Sequence, residues 1–513
     1  MKKFIYTIGL ALTLASCGSD YLDTAPQSSV GTETILESTD NAALVINGIC
    51  RLMANQYLST QGMNGEGTIK TWYNNLMGND HQRCNQTGWA TLYNGNYIES
   101  SSSKYNYFVW FYYYKLISNA NAVICNIDNA SGSDAEREFI KAQALTFRAY
   151  CYAQLAQFYC YRWDDSSSGT SRGLPLRLDE STGDLEASTL IEVYDQIYAD
   201  LDEAIDLYTS SGLDRDDDEY YMPNLEVAYA AYARAALVRQ DYSTAITYAR
   251  LARANYSLMS EDDYTDSGFN TPNDEWIWGI YSASDQTLYY YSYFAYQASN
   301  SSASVCRSYP LAISKELIDQ IPETDVRRDM FLIPTDEEAE EIGYAYATRT
   351  SSGTLYSRAK SDYSDKLYSS SYIFPYMQFK FQCTESPGIG EFNIIRASEM
   401  YYIEAEALCE QGGSDSTVQS LLNTLNSRFD SSYSCTATGS SLLEEVKLYR
   451  RFDLWGEGFD WTDLKRWNEP IERRSVSDGG SFLATFAIST AVSDNNKWTY
   501  VYPDYETDYN TAL

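Results

Sequence analysis

The sequence predicts a mainly α protein: a scaffold of helical repeats with a long loop-rich insertion containing short strands. Three observations carry this reading. Apolar residues recur three or four apart over several long stretches. Alanine-rich runs flank a short turn at 240–242. Between 257 and 393 that periodicity gives way to Ser, Tyr, Thr and Asp. The chain has 513 residues, 44% of them apolar, which is enough for a sizeable core. At roughly 150 residues per domain, length alone suggests about three domains. One large helical domain with an insertion fits the pattern equally well.

Taken in order, residues 39–52 open the helical part, with Ala43, Val45, Ile46, Ile49 and Leu52 apolar. A loop-rich stretch follows at 59–103, where glycines alternate with aromatic rings. Helical spacing returns at 105–127 and at 135–159, where Ala142, Leu145, Ala149, Tyr152, Leu155 and Tyr159 lie three or four apart. Residues 188–207 form another helix, with Ser188 as N-cap and Glu192 near the first turn. Residues 225–238 and 243–254 form a helix pair around Gln240-Asp241-Tyr242. Its small residues and the tyrosine past the turn resemble a tetratricopeptide repeat, with a generic αα-hairpin as the alternative. In the insertion, 313–321 reads as a short helix, and 275–280 and 376–381 as short strands. Helices resume at 396–410, stop at Gly412-Gly413, and continue through 414–428 and 442–455. The divisions are therefore 39–256 for the N-terminal helical part, 257–393 for the insertion, and 394–513 for closing helices and an irregular tail.

Charge and composition exclude several functions. There are 37 basic and 71 acidic residues, a net charge of −34. Nucleic acids and anionic membrane surfaces need a basic footprint, so neither is a partner. The single histidine, His81, excludes a two-His metal site and an H-E-x-x-H protease. No G-x-S-x-G elbow accompanies it, and it reads as a hydrogen-bonding loop residue. No catalytic residue is assigned and no cofactor is expected. The acidic run at 214–219 offers oxygens to a calcium ion, but it lacks the EF-hand spacing and glycine. A solvated charge run is the simpler reading.

The N-terminus carries an address. Lys2 and Lys3 precede an apolar run at 4–14, too short for the roughly 20 residues that span a bilayer. It suits a secretory signal. The run ends in Leu14-Ala15-Ser16-Cys17, which looks like a bacterial lipobox with Cys17 as the lipidated residue. Residues 1–17 would then be the leader and its anchor point, and 18–38 a tether. The early acidic residues after Cys17 resemble a surface-export signal of Bacteroidetes lipoproteins. Cysteines 125, 151 and 409 fall in apolar helical patterns and read as core residues. No disulfide framework is predicted.

Four stretches together carry a family resemblance. The lipobox is the first. The second is AQALTFRAY at 142–150 with LAQFY at 155–159. The third is IIRASEMYYIEAEA at 394–407 with LNSR at 425–428. The fourth is RRFDLWGEG at 450–458 with DLKRW at 463–467. Their order and spacing look like the SusD/RagB family of outer-membrane lipoproteins. The resemblance implies a tetratricopeptide-like scaffold and a non-enzymatic, surface glycan-binding role. It also implies an outer-membrane partner, a SusC-like TonB-dependent transporter. A peptide or glycopeptide cargo and, less in keeping with the motifs, a glycoside hydrolase are the alternatives. The chain departs from the family with Tyr449 before Arg450-Arg451, and with Phe459-Asp460 after Glu457-Gly458. The fourth motif itself reads as structural, with Glu457, Asp463 and Arg466 satisfying partners in a buried corner.

A sugar site needs flat rings for apolar C–H faces and planar polar groups for hydroxyls. Two loop-like segments supply both. The first, 72–97, offers Trp72, Trp89 and Tyr93 with Asn79, Asp80 and Arg83. The second, 276–309, offers Tyr289, Tyr290 and Tyr291, together with Trp276, Trp278 and Tyr281. Trp89 and Tyr290, with Asn79 and Arg83 as polar partners, lead the candidates. The opposing reading sends Trp276 and Trp278 inward, two apart on one face of a strand.

Overall fold

Side chains that the sequence places at the helix ends set where the helices start and stop. The computed structural model describes residues 36–58, 60, 62–85, 90–282 and 292–513. Among them, eleven helices have eight residues or more: α1 Thr39–Leu52, α2 Lys104–Asn126, α3 Asp134–Tyr159, α4 Leu190–Ser211, α5 Leu225–Arg239, α6 Tyr242–Ala252, α7 Thr354–Asp362, α8 Ala397–Glu410, α9 Asp415–Asn426, α10 Ser440–Asp453 and α11 Asp460–Trp467. Ser133 caps α3 and Glu136 closes the capping box. Thr189, one residue past the expected Ser188, caps α4 with Glu192. Gly212 ends α4 in the left-handed conformation. Gln240 also takes positive φ, which turns α5 into α6 within two residues.

The helices stack as neighbouring hairpins. The central α3 packs between α2 and α4, and the α5–α6 pair leans on α8. Tyr232 and Tyr248 stack across the α5–α6 hairpin, 4.0 Å apart and nearly parallel. Arg148 of α3 holds Asp200 of α4 with two hydrogen bonds of 2.8 and 2.6 Å in a buried setting. A single large core runs through both helical halves. A second, smaller core of Leu332, Leu355, Ala359, Leu367, Ile373, Met377 and Phe379 lies inside the insertion.

Among the described residues there are three short antiparallel strand pairs: β1 His81–Arg83 with β3 Leu311–Ile313 and β2 Trp276–Ile280 with β4 Phe392–Arg396 join distant parts of the chain, and β5 Ile471–Arg473 with β6 Ile488–Thr490 is a local hairpin. The β2–β4 pair closes the base of the insertion. Trp276 and Trp278 are both buried, as the inward reading held, but Ile277 is buried as well. The register slips between the two tryptophans.

Several local expectations change. The stretch at 59–103 contains a helical segment, Glu66–Thr68 running into a π-helical turn Ile69–Asn75. Its carbonyls and hydroxyls are engaged locally, and glycine density had masked it. Residues 313–321 split into the end of β3 and a short helix, Lys315–Ile318. Residues 376–381 form only isolated bridges, through Met377 and Gln378. The tail carries the β5–β6 hairpin and a last helical turn, Asp504–Thr507. Cys125 is exposed, because its position on α2 faces outward near the Leu178 carbonyl. Cys151 is buried, Cys409 is half-buried, and all nine described cysteines are free thiols.

Candidate functional site

The two aromatic segments singled out in the sequence meet in space. The β1–β3 pairing aligns His81 with Ile313 and Arg83 with Leu311. One residue further, the Cys84 amide donates to the Pro310 carbonyl at 2.9 Å. The Arg83 guanidinium crosses between the segments, donating to the carbonyl of Tyr309 at 2.9 Å and to that of Tyr296. Trp72 meets Tyr296 edge to face at 5.7 Å. The backbone at Gly62 fits against both rings with no room for a side chain.

This geometry corrects the roles given to individual residues. Arg83 and Trp72 are buried and tie the segments together from beneath. Tyr93 is buried, accepts a hydrogen bond from the Arg83 amide, and stacks on Phe486 at 4.0 Å. Asp80 is buried and holds Arg451 with hydrogen bonds of 2.9 and 2.8 Å. Asn79 is half-buried, with its amide bonded to the Pro470 carbonyl and the Glu472 amide. None of these five offers a free face to a ligand, because a buried polar group must be satisfied internally. Trp89, Tyr289, Tyr290, Tyr291 and Cys17 lie outside the described residues.

His81 is also inward. It stacks on Trp455 at 4.2 Å and its Nδ1 lies 3.3 Å from an Asp460 carboxylate oxygen. Burial pushes the imidazole down to about 3. Burial raises Asp460 to about 6, against the opposing pull of Arg451. At neutral pH the pair is therefore a hydrogen bond to a neutral ring. Asp460 accepts the amides of Asn79 (3.0 Å) and Asp80 (2.7 Å), which anchors the turn leading into β1.

What the sequence reading missed is the rim around this junction. Tyr309, Tyr368 and Tyr372 are half-buried, each with part of its surface open to solvent. Arg307 lies over the Tyr368 ring at 5.9 Å, and its carbonyl accepts the Tyr372 amide at 2.8 Å. Arg349 covers the Tyr372 ring at 3.5 Å. Rings and guanidinium planes thus alternate at the surface beside the β1–β3 junction. Elsewhere, a cleft of about 290 Å³ is lined by Asn47, Arg51, Tyr221 and Tyr281, among others. Tyr281 is 49% exposed and its ring lies 5.7 Å from that of Tyr221. Both places combine rings with planar polar groups, the chemistry that suits a polyhydroxylated ligand. Alternating tyrosines and arginines far apart in sequence give no local signal, so only packing revealed the rim.

The fourth motif forms a different kind of site. Glu457 accepts from Lys380 (2.8 Å), from Arg396 (2.8 and 2.9 Å) and from Asn393 (2.9 Å), all buried. Arg396 also reaches Glu275 and Asp453, at 2.8 and 2.9 Å. Burial would raise the Glu457 carboxyl, but Arg396 and Lys380 hold it at about 2. Asp463 takes Arg450 and Arg466, and Arg466 goes on to Glu406. Each of these charged side chains is held by a buried partner, which makes the motif an internal brace. The departures at 449 and 460 do not break it: Tyr449 packs near Arg327, and Asp460 anchors the turn before β1.

The acidic run at 214–219 is largely exposed, and the Asp214 carboxylate accepts from the Arg215 amide and Asn224. Among the described residues, no group of three or more His, Cys, Asp or Glu is placed to hold a metal ion. No described helix is long and apolar enough to cross a membrane.

Two family models match successive parts of the chain. Residues 20–237 match a SusD-like family described as starch-binding and associating with the outer membrane. Residues 244–511 match the SusD family model, SusD_RagB. The chain belongs to the SusD/RagB family. No curated protein matches. Among solved structures, the fold is similar to a SusD-like carbohydrate-binding protein from Bacteroides vulgatus, with a TM-score of 0.73 and 23% identity over 93% of this chain and 97% of that one. It is also similar to a SusD superfamily protein from Bacteroides thetaiotaomicron, with a TM-score of 0.71 and 22% identity over 93% and 98%. A third, the surface glycan-binding protein A of the same organism in complex with laminarihexaose, has a TM-score of 0.66 and 18% identity over 92% and 98%. These likenesses fix the helical-repeat fold of this SusD family member.

Proposed function

We propose that this SusD family protein is a non-enzymatic, cell-surface lipoprotein that captures oligosaccharide and delivers it to a SusC-like TonB-dependent transporter in the outer membrane. Acyl chains on Cys17 hold it there. The observation that carries the reading is the junction of the two aromatic segments through β1–β3 and Arg83, with Tyr309, Tyr368 and Tyr372 at its rim. The complex of the related surface glycan-binding protein with laminarihexaose supports a glycan ligand. The neutral, stacked and buried His81 is unsuited to general acid–base work, which supports binding without catalysis. The strongly acidic surface favours neutral glycans over anionic ones.

The test is a glycan-array screen of the lipid-free chain, residues 18–513, repeated with Trp89→Ala, Tyr290→Ala, Tyr309→Ala and Tyr368→Ala. A hit weakened about tenfold or more by any of these, with Tm unchanged, is the expected result. Release of reducing ends from a bound polysaccharide would replace the reading with a glycoside hydrolase. Peptide binding without any glycan hit would replace it with a peptide carrier.

A further inference from the structure

A second cleft, of about 300 Å³, lies between α2, the loop at 177–185 and the C-terminal tail. It shares no lining residue with the places described above. Its walls are fixed from within. Asn121 donates to the carbonyls of Arg177 (2.9 Å) and Asp179 (3.1 Å). Arg177 donates to those of Ser181 (3.1 Å) and Gly183 (2.6 Å), which sets the loop. Asn510 exchanges two hydrogen bonds with the Leu185 backbone, at 3.0 and 2.9 Å, and so locks the tail to the loop. Glu506 accepts from Trp110 Nε1 at 3.2 Å and from Asn510 at 3.1 Å. A cleft ordered in advance loses little freedom when a ligand enters.

The lining selects the ligand. The amide donors of Asn121 and Asn510 are engaged with the protein and Arg177 spends two of its five N–H groups on the loop, whereas Asp179, Glu180 and Glu506, three carboxylates against this one cation, keep lone pairs beyond those in use. The wall is therefore rich in acceptors and calls for a ligand that donates. Three carboxylates oppose phosphate, sulfate and uronate groups. The rings of Tyr114 and Tyr509 border the same space, and Tyr509 is 81% exposed. Beyond it, Tyr505 is 60% exposed and stacks on Tyr107 at 4.4 Å, which extends the aromatic surface along the tail. Hydroxyl donors on one side and apolar C–H faces on the other describe a neutral saccharide.

We propose that this cleft is a second saccharide-binding site, separate from the β1–β3 junction and specific for neutral glycans. Two sites on one chain raise the avidity for a polymer without any new contact.

The test uses the lipid-free chain, residues 18–513, titrated calorimetrically with laminarihexaose, maltohexaose, cellohexaose, mannohexaose and xylohexaose, and separately with hexalysine. Tyr509→Ala removes an exposed ring, and Ser118→Trp fills the cleft from the exposed face of α2. The expected result is a saccharide with two binding events, one of them at least tenfold weaker in both cleft variants and unchanged in Tyr309→Ala and Tyr368→Ala, which weaken the other. Saccharide binding that responds only to the junction variants would support the function proposed above and overturn the second site. Failure of all five saccharides to show any response to Tyr509→Ala or Ser118→Trp overturns it as well. So does hexalysine binding that is lost in the two cleft variants while saccharides ignore them.

Discussion

The brace around Glu457 and the junction around Arg83 are made from similar residue types and come out as opposites. In the brace, Arg396, Lys380, Asp453 and Glu457 answer one another at full burial. At the junction, Arg83 and Trp72 are buried in the same way, but they carry a rim whose tyrosines and arginines reach solvent. Charged and aromatic content therefore does not identify a binding surface. What separates the two is burial: the brace is closed off from solvent, whereas the rim stays open even where, as at Arg307, its polar groups have internal partners.

The comparison can be broken most directly at the brace. Glu457→Ala leaves Lys380 buried without its counter-charge and takes one of three carboxylates from Arg396, and it should cost about 3–5 kcal/mol of stability, read as a lower midpoint in denaturant. A similar loss of glycan binding without loss of stability would mean that the brace is itself a ligand site. The same carboxylate gives a pH signature. Its folded value, about 2, is depressed below the ordinary 4.5. Its contribution is thus fully present above about pH 4.5 and is lost as pH falls toward 2. Asp460 has the opposite sign, with its folded value raised to about 6 from 3.8, so its contribution falls as pH rises through that window. Thermal midpoints of the wild type and Glu457→Gln across pH 3–7 should converge toward the acid end.

At the rim the order of effects reverses. Tyr309→Ala and Tyr368→Ala should weaken glycan binding about tenfold, roughly 1.4 kcal/mol, while Tm moves little because both residues are only half-buried. A Tm drop matching that of the brace variant would place these rings in the core instead. In the scaffold, Tyr248→Ala removes the stacked partner of Tyr232 and should cost roughly 1–2 kcal/mol, with binding unchanged. The smallest change comes at a helix end. Ser133→Ala removes one half of an exposed capping box and should cost about 1 kcal/mol.

The long helices are legible because small and apolar residues recur three or four apart over several turns, even where, as in α3 and α5, burial runs nearly all round. The helix expected at 135–159 is observed at Asp134–Tyr159, and that at 225–238 at Leu225–Arg239. Capping residues set those ends to within a residue or two. The segment Ile69–Asn75 reads as loop in the sequence because, at seven residues in a glycine-flanked, aromatic stretch, it is too short to show that recurrence. Asp80 and Arg83 were read as ligand groups because residue type suggested exposure, whereas partners hundreds of residues away, Arg451 and Tyr309, bury them.

By itself, then, the sequence determined the helical scaffold and the family, since both are written in local periodicity or short motifs. The tertiary structure alone decided which polar and aromatic residues face solvent. That depends on long-range pairing, such as β1 with β3 or Arg396 with Glu457. A side chain's exposure is set by what packs over it, and no local pattern encodes a neighbour that arrives from the far end of the chain.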